Sequence, residues 1–269
     1  MRGAWAVGAL NALHELGEDR FDLVVASSSG ACSAAYFVAG LHQPALEIWQ
    51  HYVDGRKLFC TSNLLHFKPM VDLTYLVDHL FRKKFPLNLQ AFNNGVRFQI
   101  VLTDCLSGAP VYFPARDEQI FDALRASSSL PFATRGYWLV DQKPFADGGI
   151  GDPLPLEHVL EEGAKDITVI LTHGSAYRME PVPRFVARLA YPKYPRAAEA
   201  WAQRHIRYQR SLALMDHPPE GVRIRVLRPS RRLYMARFTC DMNRLLNAIS
   251  FGREEVFQQL GETGTLKKY

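Results

Sequence analysis

The sequence predicts an α/β protein in which helices cover both faces of a central, largely parallel β-sheet, giving a three-layer α/β/α sandwich. Three observations favour this class. Short apolar runs alternate with helical patterns along the chain, as they do where helices connect parallel strands. The 269 residues are 48% hydrophobic, which is enough for one sizeable core. The segment from Asp166 to Gly174 carries a continuous apolar run, typical of a strand that is buried on both faces.

The N-terminal third predicts one strand and four helices. Apolar residues recur at helical spacing up to Gly17, a glycine at which a helix commonly ends. Phe21 to Ala26 has the pattern of a short buried strand, and the alanine-rich segment 28–40 predicts the helix that follows it. Two further helices are predicted at 43–53 and 71–81.

The remaining elements follow from turn and cap signals. Strands 96–104 and 109–113 are predicted to pair through the turn at Ser107-Gly108. Segment 117–128 has acidic residues where a helix begins. Segment 136–149 predicts a hairpin that runs into a glycine turn. The chain then predicts a helix opened by prolines, the apolar strand, two helices, a strand at 222–227 and a last helix from about residue 241.

The net charge of +5 is unevenly distributed. Residues 181–237 contain 13 Lys/Arg against 3 Asp/Glu, an excess of +10, so the rest of the chain carries −5. Such a segment is either a solvated basic face or a surface that attracts an anionic membrane. No zinc-finger or RNA-binding signature accompanies it, so we expect no nucleic-acid partner.

The cysteines indicate the compartment. Cys32, Cys60, Cys105 and Cys240 are scattered and form no C-x-x-C pair, which is typical of free thiols in a reducing environment. We therefore expect a cytoplasmic protein that contacts the inner membrane face peripherally. Phosphate-loop, dinucleotide-binding, H-E-x-x-H and EF-hand patterns are absent from the sequence, so we expect no cofactor and no metal.

A candidate nucleophile stands where the first predicted strand ends. The stretch from Ala26 to Gly30 has the form of the nucleophile elbow G-x-S-x-G, with Ser28 at its centre and Ala26 in place of the first glycine. An elbow exposes its hydroxyl beside a helix N-terminus, whose free N–H groups can hold a developing negative charge. A serine before a helix is more often an N-cap, so this stretch alone leaves both interpretations open.

A candidate base follows the predicted hairpin. Asp147 precedes Gly148 and Gly149, and a glycine turn can present a carboxylate to a neighbouring strand end without steric cost. The alternative is a turn aspartate that bonds only its own backbone. Asp152, just before Pro153, is interpreted as the cap of the next helix.

Taken together, these stretches resemble the patatin-like phospholipases. The segments 204–215, 224–238 and 251–256 resemble the tail of the bacterial branch of that family. The resemblance implies a patatin-like catalytic domain over residues 1–180, with a helical and basic region, 181–269, packed on the same domain. The motifs that carry the resemblance are Arg2-Gly3, Ser28 with Gly30, Thr103-Asp104, Ala126-Ser127-Ser128 with Pro131, and Asp147-Gly148-Gly149.

The resemblance implies a lipid acyl hydrolase of the phospholipase A type, acting on lipid esters. Ser28 would be the nucleophile and Asp147 its base, in a dyad without histidine; a carboxylate at hydrogen-bond distance can take the serine proton as the oxygen attacks. The serine cluster from Ser127 to Ser129 would be structural. The resemblance also implies supporting residues in the oxyanion site and elbow and in the turn after the base: Arg2, Gly3, Ser29 and Gly30, and Gly148 and Gly149.

One part of the family pattern is missing. The family has a strand and a G-G-G-x-R-G loop whose N–H groups form the oxyanion hole, whereas this sequence starts at Met1-Arg2-Gly3. Loss of one oxyanion donor typically lowers the rate by about 10²–10³-fold. We therefore expect a longer natural N-terminus, and poor activity of the 269-residue chain.

Two alternatives remain open. A domain without the glycine loop can be a catalytically impaired relative that only binds lipid. The chain order Ser28, Asp147, His173 also fits the Ser-Asp-His triad of an ordinary α/β-hydrolase, because His173 follows an apolar strand.

Overall fold

The computed structural model describes residues 3–53, 58, 70–93, 95–233 and 241–261. A π-helix spans Tyr75–Lys84 and a 3₁₀-helix spans Leu89–Asn93. The strands are β1 (Leu23–Ser27), β2 (Arg97–Asp104), β3 (Pro110–Pro114), β4 (Trp138–Val140), β5 (Lys143–Asp147), β6 (Asp166–Ile170) and β7 (Arg223–Leu227). The α-helices are α1 (Gly3–Glu15), α2 (Ser28–Val38), α3 (His42–His51), α4 (Gln119–Ser127), α5 (Gly148–Gly151), α6 (Leu156–Glu161), α7 (Arg184–Ala190), α8 (Pro195–Asp216) and α9 (Met242–Gly261).

Strand β2 is the centre of a five-stranded mixed sheet. It pairs in parallel with β1 and antiparallel with β3 and β5, and β4 pairs antiparallel with β5. Strands β6 and β7 form a separate parallel pair. The predicted α/β sandwich is confirmed, but the five-stranded sheet is mixed rather than largely parallel. The short β2–β3 and β4–β5 connections reverse the chain direction, whereas a parallel pair needs a long crossover.

Strand β6 differs from the prediction of a strand buried on both faces. Ile167 and Val169 are buried, whereas on the other face Asp166 is exposed and Ile170 is only partly buried, against the apolar cluster of α1 and α9. The buried side packs with Tyr208 and Met215 of α8. The apolar run therefore overstated the burial of this strand, because only one of its two faces is fully covered.

The largest apolar cluster lies between the five-stranded sheet and the helices α2, α3, α4 and the π-helix. Tyr36, Ile48, Phe81, Ile100 and Leu124 represent the five elements in this cluster, and each is almost fully buried. Burial of large apolar side chains contributes about 1.5–3 kcal/mol each. This cluster therefore supports the helices that stand beside the end of β1.

Helix α9 packs closely on α1 through two glycines. A Cβ atom at Gly8 would lie 2.0 Å from the backbone oxygen of Ile249, and one at Gly252 would lie 2.2 Å from the backbone oxygen of Trp5. Buried Glu255 accepts hydrogen bonds from the Trp5 indole N–H at 3.2 Å and from the Ser230 backbone N–H at 2.9 Å. None of the helices in the described ranges has the length and apolar character required for a membrane span.

Candidate active site

The ends of β1 and β5 meet on one edge of β2. Ser27 lies opposite Val101, and Asp147 lies opposite Leu102, the next residue of β2. Strand β3 pairs with residues 99–103 and so occupies the other edge. The strand register therefore brings together two positions 119 residues apart: the Ser28 hydroxyl donates a hydrogen bond of 2.7 Å to Asp147 Oδ2.

Ser28 sits in a strained turn at the start of α2. Its φ of 53° lies in the left-handed region, which non-glycine residues seldom occupy. The Ser28 backbone N–H donates to Ser127 Oγ at 2.8 Å, and Ser127 Oγ donates to the Val101 carbonyl at 2.8 Å. The buried Ser127 hydroxyl thus ties the turn to β2 and helps to hold Ser28 in this conformation.

Asp147 is buried and held from several directions. Its Oδ1 accepts the Gly149 N–H at 2.8 Å, and its carbonyl accepts the Thr103 hydroxyl at 2.7 Å. Its own N–H donates to the Ser129 carbonyl at 3.1 Å. One carboxylate oxygen therefore bonds the backbone of its own turn, as expected for a turn aspartate, while the other oxygen accepts the Ser28 hydroxyl.

The two glycines after Asp147 have different surroundings. A Cβ atom at Gly148 would lie 2.0 Å from the Val101 carbonyl oxygen, so no larger residue fits without moving the backbone. A Cβ atom at Gly149 would lie 3.1 Å from Asp147 Oδ1. This distance is short, but the neighbour is a side-chain atom, which can move more easily than the backbone. Gly148 is thus the position that lets β5 approach β2 closely.

The residues predicted for the oxyanion site are only partly brought together. A Cβ atom at Gly3 would lie 3.1 Å from Ser29 Oγ and 2.9 Å from the Trp49 ring, so the start of α1 packs against the elbow. At Gly30 a Cβ atom would meet no neighbour among the described residues. Arg2 lies outside the described residues. The backbone N–H groups of Ser29 and Gly30 belong to the first turn of α2, where a helix has no carbonyl to accept them.

A cavity of about 280 Å³ is lined by Ser28 and Asp147. Most of its wall is apolar and comes from α2, α3, the π-helix and neighbouring segments. A smaller polar part carries Thr172, His173 and Arg204. The apolar lining residues are Tyr36, Ala45, Ile48, Trp49, Val53, Leu58, Val71, Leu73, Leu76, Phe81 and Leu130.

Two other reactive groups lie close to the site. Burial raises the pKa of the Cys32 thiol to about 11, and the charge of Asp147 adds to this effect. Cys32 therefore remains a neutral thiol near pH 7 and is a poor nucleophile.

Asp152 is turned away, because its Oδ2 accepts the Tyr112 hydroxyl at 2.7 Å. Its Oδ1 accepts the Leu154 N–H at 3.2 Å, so Asp152 caps this short turn and not the following helix α6.

His173 lines the cavity at its polar part, where its ring stacks on Tyr177 with 3.7 Å between the ring centroids. The Ser28 hydroxyl bonds directly to the Asp147 carboxylate, with no histidine between the two side chains. The described residues hold one close group of metal-ligand types, His14, Asp19 and His42. Its two imidazoles are stacked face to face, and the group lies outside the cavity.

Sequence patterns missed two contributors to the site. Arg204 of α8 reaches the cavity from about 60 positions beyond Asp147, and Thr172 follows β6. Neither residue stands in a local motif, since each takes part only because distant helices and strands pack together. Thr172 had one available signal, its position directly after an apolar strand.

A family model for the patatin-like phospholipases matches residues 1–160, more than half of the chain. The chain belongs to this family. A second model, for a domain of unknown function (DUF6363), matches residues 194–265. The chain is also similar to the uncharacterized protein YjjU of Escherichia coli K12, with 27% identity over 192 residues. That match covers 70% of this chain and 53% of YjjU, so the chain spans about half the length of the curated relative it matches.

The predicted membership of the patatin-like phospholipases, and of a bacterial branch, is therefore confirmed. With it come the α/β fold and a family of lipid acyl hydrolases. In this patatin-like chain the matched segment contains both Ser28 and Asp147, whereas Arg204 lies in the second match. We refer below to residues 194–265 as the C-terminal module.

Proposed function

We propose that this protein hydrolyses lipid esters through a Ser28–Asp147 dyad. One observation carries the proposal: the 2.7 Å hydrogen bond from the Ser28 hydroxyl to Asp147 Oδ2, at a strained strand-to-helix turn. A buried carboxylate held on its other oxygen by Gly149 keeps Oδ2 aimed at the hydroxyl. The adjoining apolar cavity favours a substrate with a hydrocarbon chain.

The proposed reaction has two stages. Asp147 Oδ2 accepts the Ser28 proton while Ser28 Oγ attacks the ester carbonyl carbon, and the carbonyl oxygen becomes an oxyanion. N–H groups in the first turn of α2, beginning with that of Ser29, can stabilise this charge. The intermediate then breaks its bond to the alcohol, which leaves with the proton from Asp147. Water, activated by the same carboxylate, releases the fatty acid and restores Ser28.

The spacing of two lining residues of α2, Ser28 and Tyr36, favours an acyl chain of medium length. From Ser28 to Tyr36, α2 advances eight residues, or about 12 Å. An extended polypeptide advances roughly 1.2 Å per backbone bond, and an extended hydrocarbon chain advances by a similar distance. A hydrocarbon chain of about ten carbon atoms is therefore long enough to reach Tyr36. The Tyr36 ring is fixed there because its hydroxyl donates to the Phe85 carbonyl at 2.7 Å and its ring packs in a T-shaped contact with Phe81.

The test compares wild-type protein with Ser28→Ala, Asp147→Asn and the surface control Ser175→Ala. We expect p-nitrophenyl decanoate hydrolysis to fall by about 10³-fold or more in the first two variants and to stay at wild-type level in the control. A fluorophosphonate probe should label the wild type and Ser175→Ala, but not Ser28→Ala. Absence of both labelling and ester hydrolysis in the wild type would favour the alternative of a lipid-binding domain.

His173→Ala separates the dyad from the triad alternative. A triad histidine is the general base, so its loss should abolish turnover almost as completely as loss of Ser28. A dyad predicts that His173→Ala retains most of its kcat on p-nitrophenyl decanoate, since Asp147 is already bonded to the hydroxyl. A loss of kcat equal to that of Ser28→Ala contradicts the dyad.

For membrane contact, the most suitable surface is on α7. In the later part of the basic segment 181–237, Arg223 is paired with Asp166 and Arg225 with Glu18, which reduces the free positive charge expected there. On α7, by contrast, Phe185 and Leu189 are 74% and 72% exposed. They are four residues apart and so share one helix face, with basic residues adjacent in the sequence. Arg184 is paired with Glu199, whereas Arg188 is exposed beside Leu189. An apolar face next to an exposed arginine is typical of peripheral attachment to anionic lipid, which fits a cytoplasmic enzyme at the inner membrane face.

Co-sedimentation with phosphatidylglycerol vesicles tests this surface. Replacing both Phe185 and Leu189 by serine should weaken binding by about tenfold or more, because two apolar side chains no longer leave water. Leu246→Ser on α9, where the leucine is 38% exposed, is the matched control and should bind as the wild type does. Equal binding of the double variant and the control contradicts the proposed contact.

A further inference from the structure

The C-terminal module contributes a wall of the catalytic cavity through α8. Buried Ser211 of α8 donates a hydrogen bond of 2.6 Å to the Leu154 carbonyl. A Cβ atom at Gly108, in the β2–β3 turn, would lie 2.5 Å from the Arg196 carbonyl oxygen, so the start of α8 touches this turn. Helix α8 also packs against α5, the turn that follows Asp147. These contacts fix α8 beside the dyad.

Arg204 is a charged residue on the inward stripe of α8. Trp201, Tyr208 and Ser211 are buried and recur at helical spacing, and Arg204 falls on the same stripe. Arg210, on the same helix, is exposed. Arg204 is half-buried and lines the cavity together with Ser28 and Asp147. Charged side chains seldom occur on the buried face of a helix, so a guanidinium at this position suggests that it interacts with a group inside the cavity.

The polar part of the wall is suited to an anion. Thr172 and His173 add a hydroxyl and a ring N–H to the guanidinium of Arg204, whereas the rest of the cavity is mainly apolar. Guanidinium groups bind phosphate through two parallel hydrogen bonds, a geometry that neutral headgroups cannot offer. The cavity thus combines an apolar wall for a hydrocarbon chain with one guanidinium, that of Arg204, and it is also lined by Ser28 and Asp147.

We infer that Arg204, assisted by Thr172 and His173, binds the phosphate of a phospholipid headgroup while Ser28 is positioned at an acyl ester of the same lipid. This inference rests on the proposed function and names its preferred substrates: phosphate-bearing lipids before neutral acylglycerols. It also gives the C-terminal module a role, because the module provides the residue that distinguishes the two classes.

A different role for Arg204 makes different predictions. A guanidinium that only keeps Asp147 ionised would accelerate the reaction on every ester, and its loss would shift the acidic limb of the pH profile. A headgroup-binding residue instead acts mainly on KM, and only for substrates that carry phosphate. The choice of substrates therefore separates the two roles.

The experiment compares decanoyl lysophosphatidylcholine with monodecanoylglycerol as substrates for wild type, Arg204→Gln, Arg204→Lys and the control Arg210→Gln. For Arg204→Gln we expect KM for the phospholipid to rise about tenfold or more, as for loss of a hydrogen bond to a charged group, and KM for the acylglycerol to change less than about twofold. Arg204→Lys should be intermediate, and Arg210→Gln should match the wild type. Thermal unfolding of each variant checks its folding.

An equal loss on both substrates, or a shifted acidic limb in Arg204→Gln, overturns the inference. Binding of both lipids to the Ser28→Ala protein by calorimetry keeps the inference separate from the proposed function. A phosphate preference that disappears in Ser28→Ala/Arg204→Gln supports the inference even if the wild type hydrolyses neither lipid. Inorganic phosphate is the third ligand: binding as tight as that of the lysophospholipid indicates a free-phosphate site and contradicts a headgroup site.

Discussion

The Ser28 turn and the Asp147 turn have the same plan but are held in different ways. Each residue stands between the end of a strand and the start of a helix. Ser28 has a φ of 53°, whereas Asp147 has a φ of −48°, in the range that ordinary residues adopt. The proposed nucleophile is therefore presented by a strained backbone, and the proposed base by a relaxed backbone packed tightly on its neighbour. Substitutions at the first turn should affect catalysis more than folding, and substitutions at the second should do the reverse.

The largest effect expected from this comparison is at Ser28 itself. Ser28→Gly and Ser28→Ala should both lose about 10³-fold or more of the esterase activity. Only glycine relieves the left-handed conformation, which costs other residues roughly 1–2 kcal/mol. Ser28→Gly should therefore unfold at a higher temperature than Ser28→Ala, as measured by thermal denaturation followed by circular dichroism. The opposite order of the two melting temperatures would show that the turn is not strained.

At the base turn, the expected loss is one of stability. In Gly148→Ala the new Cβ atom would overlap the Val101 carbonyl oxygen, so β5 must move from β2. We expect a decrease in the free energy of unfolding of about 1–3 kcal/mol or more, measured by urea denaturation.

Gly149→Ala is the matched control for this substitution. Its added Cβ meets only the Asp147 carboxylate, so it should lose less stability than Gly148→Ala. Equal losses in the two variants contradict the idea that close packing at Gly148 holds the base.

A smaller effect is expected at Ser127, the buried residue behind the elbow. Ser127→Ala leaves the Ser28 N–H and the Val101 carbonyl without their hydroxyl partner. Loss of such a partner costs about 1–3 kcal/mol, and a less constrained Ser28 should also lower kcat. In the control Ser129→Ala, the lost hydroxyl bonds only to the Arg125 carbonyl of α4, so stability should fall while kcat stays close to wild type. A Ser127→Ala protein with unchanged kcat contradicts the positioning role.

The sequence predicted Ser28 and Asp147 because each belongs to a local pattern, a strand followed by small residues and a turn. The elements around them were predictable for the same reason, as the hairpin of β4 and β5 shows. Sheet direction was not predictable in this way. Strand β5 runs antiparallel to β2, and its direction depends on the path of the chain between α4 and β5. The residue pattern of β5 does not indicate that path.

The Ser127 and Arg204 contacts required the folded chain for another reason. Ser127 meets Ser28 across 99 positions, and its hydroxyl looks the same in sequence as those of Ser128 and Ser129. Arg204 is one of 13 basic residues between positions 181 and 237, and only the packing of α8 against α5 separates it from the exposed ones. Patterns along the chain therefore indicate the proposed reacting groups, whereas the residues proposed to orient them or to bind the substrate become apparent only from tertiary packing.

The close contact of Gly8 with Ile249 and of Gly252 with Trp5 has a consequence for how this protein can diverge. Each glycine faces the backbone of the other helix, so a larger residue at either position pushes the two helices apart. The two positions are therefore under a shared constraint across 244 residues of sequence. Relatives that keep both helices in this arrangement should keep small residues at both sites, whereas a lineage that has lost α9 is free to vary at position 8.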